Sequence, residues 1–127
     1  MWDGFDNRKF PRINLKCKVV LELDGDKQST IDAYTENVGV GGIAIYSNME
    51  VERFTHCQIN LRIESETREN IQCNGKVMWA VPVSDAHGQT KHYDIGIEFS
   101  DLADDKRNKI RDLIKKHPDL ISNRKEK

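Results

Sequence analysis

Residues 15–23 read Leu-Lys-Cys-Lys-Val-Val-Leu-Glu-Leu, and this stretch decides the fold. Its apolar face carries Leu15, Cys17, Val19, Leu21 and Leu23. A period of two over this length predicts a strand with one buried and one solvated face. The next residues, Asp24-Gly25-Asp26, include an Asp-Gly pair, which tolerates the positive φ of a tight hairpin. We therefore expect a second strand to return antiparallel beside the first.

Five further stretches have strand character. They cover residues 29–35, 42–46, 57–63, 71–79 and 93–99. Most connections between them are short, which favours antiparallel pairing. An open sheet of six short strands would expose two edges, whereas a closed barrel exposes none. The sequence therefore predicts an all-β fold built on a six-stranded antiparallel β-barrel.

The periodicity changes after Phe99. Apolar residues then recur at helical spacing, at Leu102, Ile110, Leu113 and Ile114. Ser100 or Asp101 is suited to cap the start of this helix, and Pro118 is suited to end it. We predict a C-terminal helix whose apolar stripe packs on the barrel, followed by a polar tail.

Composition and charge exclude several classes of protein. The longest apolar run, 77–81, is far too short to cross a membrane, and the first residues lack a signal-peptide pattern. We therefore expect a cytoplasmic protein without membrane insertion. The net charge is +3 over residues 1–20, −10 over 21–105 and +6 over 106–127. The acidic middle argues against a duplex-DNA binder and against a barrel that binds single-stranded nucleic acid.

No catalytic or metal-binding pattern is present in the sequence. Cys17, Cys57 and Cys73 have no Cys-x-x-Cys spacing and fall at inward strand positions, which predicts buried reduced thiols. The four histidines are scattered and do not have the ligand spacing of a zinc motif. No Ser/His/Asp or Cys/His set is recognisable either. We expect neither a metal site nor an enzyme.

Two stretches are not explained by core formation. The first is Arg8-Lys9-Phe10-Pro11-Arg12, in which Pro11 biases Phe10 away from helix and so favours an extended arm. Spacing alone favours a solvated basic arm. The alternative is that the two guanidinium groups bind phosphate or the O6/N7 edge of guanine.

The second stretch is Asn37-Val38-Gly39-Val40-Gly41-Gly42. A glycine-rich turn is the simple interpretation. Glycines also let backbone N–H groups approach an anion, and Asn37 offers an amide to a base edge.

Taken together and in this order, the two stretches resemble the PilZ domain, the bacterial receptor for cyclic di-GMP. That family carries Arg-x-x-x-Arg before its first strand and Asp/Asn-x-Ser-x-x-Gly after its second. Arg8 and Arg12 match the first motif. Asn37 and Gly42 match the second, and Gly39 stands where the family usually has Ser.

Two later stretches extend the resemblance over roughly residues 7–115. Gly75-Lys76-Val77-Met78-Trp79 is similar to the family's strand that ends in Trp, and 94–99 is similar to its final strand. The resemblance implies a flexible arm over residues 1–12, a PilZ-like barrel with its helix over 13–117, and the polar tail over 118–127.

The resemblance implies a binding module for cyclic di-GMP that needs no other cofactor. Arg8 and Arg12 would hold phosphates and guanine edges, Asn37 would contact a guanine, and Gly42 would allow close backbone approach. The missing hydroxyl at Gly39 would remove one hydrogen bond, worth ~0.5–1.5 kcal/mol or roughly tenfold in affinity.

Trp79 is expected in the core or at the barrel mouth, with stacking on guanine as the alternative. Two functions stay open. The first is a receptor whose arm closes over cyclic di-GMP and signals to an unidentified protein partner. The second is a PilZ-fold interaction adaptor that binds no nucleotide. The intact arginine pair favours the receptor.

Overall fold

A computed structural model describes residues 12–24, 29–63 and 70–121. Its elements, in chain order, are β1 (Arg12–Ile13), β2 (Lys18–Leu23), β3 (Ser29–Gly39), β4 (Gly42–Ser47), β5 (His56–Arg62), β6 (Asn70–Ser84), β7 (Thr90–Phe99), α1 (Asp104–Lys116) and a 3₁₀ helix (Pro118–Leu120).

The strands form a closed antiparallel barrel. The hydrogen-bonded order is β3-β2-β5-β6-β7-β4, and β4 pairs back to β3, while β1 adds to the other end of β3. Closure leaves none of these six strands as an open sheet edge along its paired length, as expected for short alternating strands. The prediction of a six-stranded antiparallel barrel with a C-terminal helix is confirmed.

Alternation along the strands builds the core. Val19 pairs with Ala33 and Leu21 with Ile31, so the apolar faces of β2 and β3 both point inward. The largest fully buried side chains are Ile13, Leu21, Ile43, Ile45, Ile59, Leu61, Ile71, Ile95, Ile97, Ile110, Val19 and Val38. Most are β-branched, which suits a pleated, tightly packed barrel interior.

The cysteines lie where the sequence predicts. Cys17 and Cys57 are buried, and Cys73 is half-buried against the core; all three are reduced thiols. Burial raises the pKa of Cys57 to about 11 and that of Cys73 to about 12. Both are therefore protonated and unreactive at neutral pH.

Three strands extend well beyond their predicted bounds, and one of them, β7, begins at Thr90 instead of residue 93. β3 continues to Gly39 and β6 to Ser84, because pairing with β1, β4 and β7 supports residues whose local pattern is weak. The register of β6 against β7 shifts between Val77 and Trp79. This bulge breaks the inward alternation predicted for residues 71–79. Trp79 therefore lies on the outer surface, with its indole over Gly96.

Helix α1 packs the predicted stripe against the barrel through Ile110, Leu113 and Ile114. The helix begins later than predicted, because Ala103 is the N-cap and no side chain caps it. The prediction of a cap at Ser100 or Asp101 is wrong. The Asp101 carboxylate instead accepts hydrogen bonds from the backbone N–H and the side-chain amide of Asn74, both at 2.9 Å.

The chain after α1 returns to the barrel. The backbone N–H of Asn14 donates to the carbonyl of Leu120 at 2.8 Å, and Ile121 forms a bridge to Ile13. Leu120 packs against the core. The start of the segment predicted as a polar tail is therefore ordered against β1 by these backbone contacts and by Leu120, while Pro118, Asp119 and Ile121 stay exposed.

Candidate functional site

Strand β1 brings the two sequence motifs together. Arg12 pairs with Gly39, and Ile13 pairs with Val38. Ile13 and Val38 are fully buried, so alternation directs Arg12 to the outer face of the barrel. Arg12 was predicted in a flexible arm but lies in a strand. Arg8 and the rest of the predicted arm before Arg12 lie outside the described residues.

Arg12 and Asn37 are in direct contact. A guanidinium N–H of Arg12 donates to Oδ1 of Asn37 at 2.5 Å, across 25 residues of sequence. Burial lowers the pKa of Arg12, yet a guanidinium stays charged at neutral pH. A half-buried positive charge thus lies beside an amide that can also hydrogen-bond to the edge of a base.

An open cleft adjoins this pair, with a volume of about 600 Å³. Its lining residues are Asn14, Lys16, Ala33, Tyr34, Thr35, Glu36, Asn37 and Tyr46. Tyr34 and Tyr46 are 47% and 49% exposed, and the ammonium of Lys16 lies 4.9 Å from the ring centroid of Tyr34. The size is that of small-molecule sites in proteins. Exposed rings and a lysine suit a planar, anionic ligand.

A bulge in β3 shapes the cleft. Thr35 pairs with Ile45 and Asn37 with Ala44, so Glu36 is the extra residue. Thr35 is buried; its hydroxyl accepts from the Cys17 N–H at 2.8 Å and donates to the Leu15 carbonyl at 2.7 Å. These bonds fix the bulge and put two successive polar residues, Glu36 and Asn37, on the cleft.

The electrostatics of the cleft centre on Glu36 and Asp94. Burial, a hydrogen bond to Asp94 and the charge of Asp94 raise the pKa of Glu36 to about 7. The charge of Glu36 is in turn the main cause of a raised pKa at Tyr46. His92 lies 3.5 Å from Asp94 through Nε2, and its ring meets Tyr46 edge-on at 4.7 Å between centroids.

The other predicted residues are placed differently. A Cβ built on Gly42 would lie 2.1 Å from the carbonyl oxygen of Ile97, so the close approach of β7 accounts for this glycine. Trp79 is in the same cross-strand row as Asn37, through Ala44 and Gly96. Three strand spacings, roughly 14 Å along the sheet, separate the two backbones. The structure brings Arg12, Asn37 and Gly39 together but not Trp79.

Sequence reasoning missed every lining residue except Asn37, including the four with functional side chains at the cleft surface: Lys16, Tyr34, Glu36 and Tyr46. Period two identifies Lys16 and Tyr34 as outward, and an outward tyrosine near a glycine-rich motif was a usable signal. Period two also directs Glu36 outward, in line with Tyr34, but it directs Asn37 inward, and only the bulge at Glu36 turns Asn37 to the cleft.

The described residues also bear on metal binding and on membrane insertion. Within residues 12–24, 29–63 and 70–121, no three His, Cys, Asp or Glu side chains are grouped to hold a metal ion. The only long helix described there, α1, is too short and too polar to span a bilayer.

Comparison with known proteins identifies a family for this sequence. The PilZ domain family model matches residues 6–116. No protein of curated function is significantly similar in sequence.

Solved structures share the fold at low identity. The PilZ domain with c-di-GMP of YcgR from Escherichia coli has a TM-score of 0.66 and 11% identity, over 87% of this chain and 91% of that one. The inhibitor of motility MotI/DgrA from Bacillus subtilis has a TM-score of 0.70 and 15% identity, over 90% and 53%. The MrkH–c-di-GMP complex of K. pneumonia has 0.64 and 14%, over 87% and 51%.

The chain thus spans about half the length of MotI and MrkH, and nearly all of the YcgR domain. The family model covers most of the sequence, and the barrel, the helix and the order of the two motifs agree with it. The chain therefore belongs to the PilZ domain family.

Proposed function

We propose that this chain is a cyclic di-GMP receptor that binds its ligand in the cleft beside Arg12 and Asn37. The observation that carries the proposal is the Arg12–Asn37 hydrogen bond, which joins the two family motifs at one wall of the cleft. PilZ domains are receptors for this nucleotide rather than enzymes. The solved YcgR and MrkH structures both contain c-di-GMP.

The chemistry of the cleft suits a cyclic dinucleotide. The guanidinium of Arg12 can address a phosphate or the O6/N7 edge of guanine, and Asn37 offers both a donor and an acceptor. Tyr34 and Tyr46 present exposed rings for base stacking. Lys16 adds a positive charge for the phosphates.

The proposal extends to the arm. Arg8 would close over the ligand from the N-terminal side, and the ordered arm would present a new surface to a protein partner in the cytoplasm. A ligand that orders a segment supplies a differential contact between two states, as a switch requires. The non-binding adaptor is disfavoured by the preserved Arg12–Asn37 pair.

Calorimetric titration with cyclic di-GMP tests the proposal, with GTP and cyclic di-AMP as specificity controls. Arg12→Ala should weaken binding at least tenfold, because a charged hydrogen bond is worth ~1.5–3 kcal/mol. The matched control is Arg62→Ala, which removes the same charge from a separate cleft. Equal affinity in both variants and the wild type would place the ligand elsewhere; no binding by the wild type would refute the receptor.

A further inference from the structure

Glu36 lines the cleft, and its carboxyl group is paired with that of Asp94 on β7. Glu36 Oε2 and Asp94 Oδ1 are both inaccessible to solvent, and neither accepts a bond from an N–H or O–H of the described residues. The two side chains are nevertheless within hydrogen-bond reach of each other. Carboxylates only accept, so this contact is favourable only when one of the two carries a proton.

The surroundings do not neutralise the pair. From β4 the Tyr46 hydroxyl faces Glu36, and from β7 His92 lies 3.5 Å from Asp94. Two fixed cations belong to this site: Lys16 lies over the ring of Tyr34, and Arg12 is bonded to Asn37. Neither forms an ion pair with Glu36 or Asp94 in the part of the chain that the structure describes.

Position links this pair to the ligand. Glu36 is the neighbour of Asn37 in the bulge, and both side chains line the same cleft. Two ionised carboxylates would repel a dianionic nucleotide, whereas a shared proton removes one of the two negative charges. Phosphodiesters keep their charge throughout the neutral range, so the titration belongs to the protein.

We propose that Glu36 and Asp94 share one proton, and that binding of an anionic ligand in the adjacent cleft is coupled to uptake of that proton. The inference rests on the proposed function, because it assigns a regulation to the same cleft. The receptor would thus respond to intracellular pH as well as to ligand concentration, binding more tightly as the pH falls.

The test is titration with cyclic di-GMP at about pH 6 and about pH 8 and at low ionic strength. The wild type should bind ~3–10-fold more weakly at the higher pH, and Glu36→Gln should abolish this dependence. Asp32→Asn is the matched control, since it removes a carboxylate from the same strand outside the cleft and should keep the wild-type dependence. Titration near pH 7.5 in buffers of different ionisation enthalpy should show net proton uptake in the wild type but not in Glu36→Gln.

Several outcomes overturn the coupling. Equal affinity at both pH values would refute the inference and leave the receptor standing, whereas no binding at either pH would refute the receptor and the coupling with it. The imidazole of His92 lies 3.5 Å from Asp94, so His92→Gln is included. A dependence that vanishes in His92→Gln but persists in Glu36→Gln would assign the effect to the imidazole. Carbon-13 NMR of the unliganded protein tests the shared proton itself, and two carboxyl groups that both titrate below pH 5 would exclude it.

Discussion

Replacing Gly42 with alanine tests whether this motif glycine serves the barrel or the ligand. The new Cβ would lie 2.1 Å from the Ile97 carbonyl oxygen, 3.1 Å from its carbonyl carbon and 3.2 Å from Glu98 Cα. Real Cβ atoms essentially never approach within 3.0 Å, so β4 and β7 must separate by at least 0.9 Å, the difference between 3.0 and 2.1 Å. The obstacle is backbone, which cannot swing aside as a side chain can.

The cost follows from that separation. Overpacking costs ~1–3 kcal/mol, and loss of backbone pairing around Gly42 and Glu98 puts this site at the upper end. At about 4 °C per kcal/mol for a domain of this size, we expect Tm to fall by roughly 12 °C. Two other glycines provide a graded comparison. In Gly96→Ala the clash is with the movable Trp79 indole, which predicts a loss of ~1–2 kcal/mol. In Gly88→Ala the space is open and only φ +82° opposes the change, at ~1 kcal/mol.

Thermal unfolding followed by circular dichroism measures all three variants. The expected order of Tm loss is Gly42→Ala, then Gly96→Ala, then Gly88→Ala. A Gly42→Ala variant that melts with the wild type would refute the packing argument. If that variant melted like the wild type but lost cyclic di-GMP binding, the glycine at position 42 would serve the ligand and not the packing against β7.

Three further changes test separate features. Gly39→Ser should strengthen cyclic di-GMP binding by about 1 kcal/mol, which calorimetry would record as several-fold tighter affinity. Gly39 has no positive φ, so a serine there adds the hydroxyl without straining the backbone. Unchanged affinity would place residue 39 away from the ligand. Glu36→Gln should gain stability relative to the wild type as the pH rises from about 5 to 8, because the pKa of Glu36 is raised from 4.5 to about 7 and the wild type loses its favourable protonation in that window. Urea unfolding at both pH values measures the difference, and a gain that does not depend on pH would contradict the prediction. Phe54→Asn should raise the free energy of unfolding by about 0.5 kcal/mol, because asparagine tolerates the left-handed backbone at φ 69° and this gain outweighs the lost cation–π contact with Arg53. A lower Tm in thermal unfolding would show instead that packing of the exposed ring stabilises the fold.

Period-two alternation was sufficient to predict the barrel. Residues 15–23 bury one face whatever their neighbours are, and six such strands leave closure as the solution without open edges. The helix was equally local, since Ile110, Leu113 and Ile114 share one face at helical spacing. Its start was not, because the Asp101 carboxylate is taken by Asn74 on β6, a contact across 27 residues.

The motif residues were readable from the sequence, whereas their environment was not. Arg12 and Asn37 were identifiable by type and order, but the β1–β3 pairing that joins them depends on Ile13 being anchored in the core. Asn37 faces the cleft because a bulge adds one residue to β3, and Trp79 faces outward because a bulge adds one to β6. A single added residue reverses every later side chain in a strand. Only pairing with neighbouring strands decides where such a residue is added, so local periodicity predicted the barrel while tertiary structure decided which side chains line its cleft.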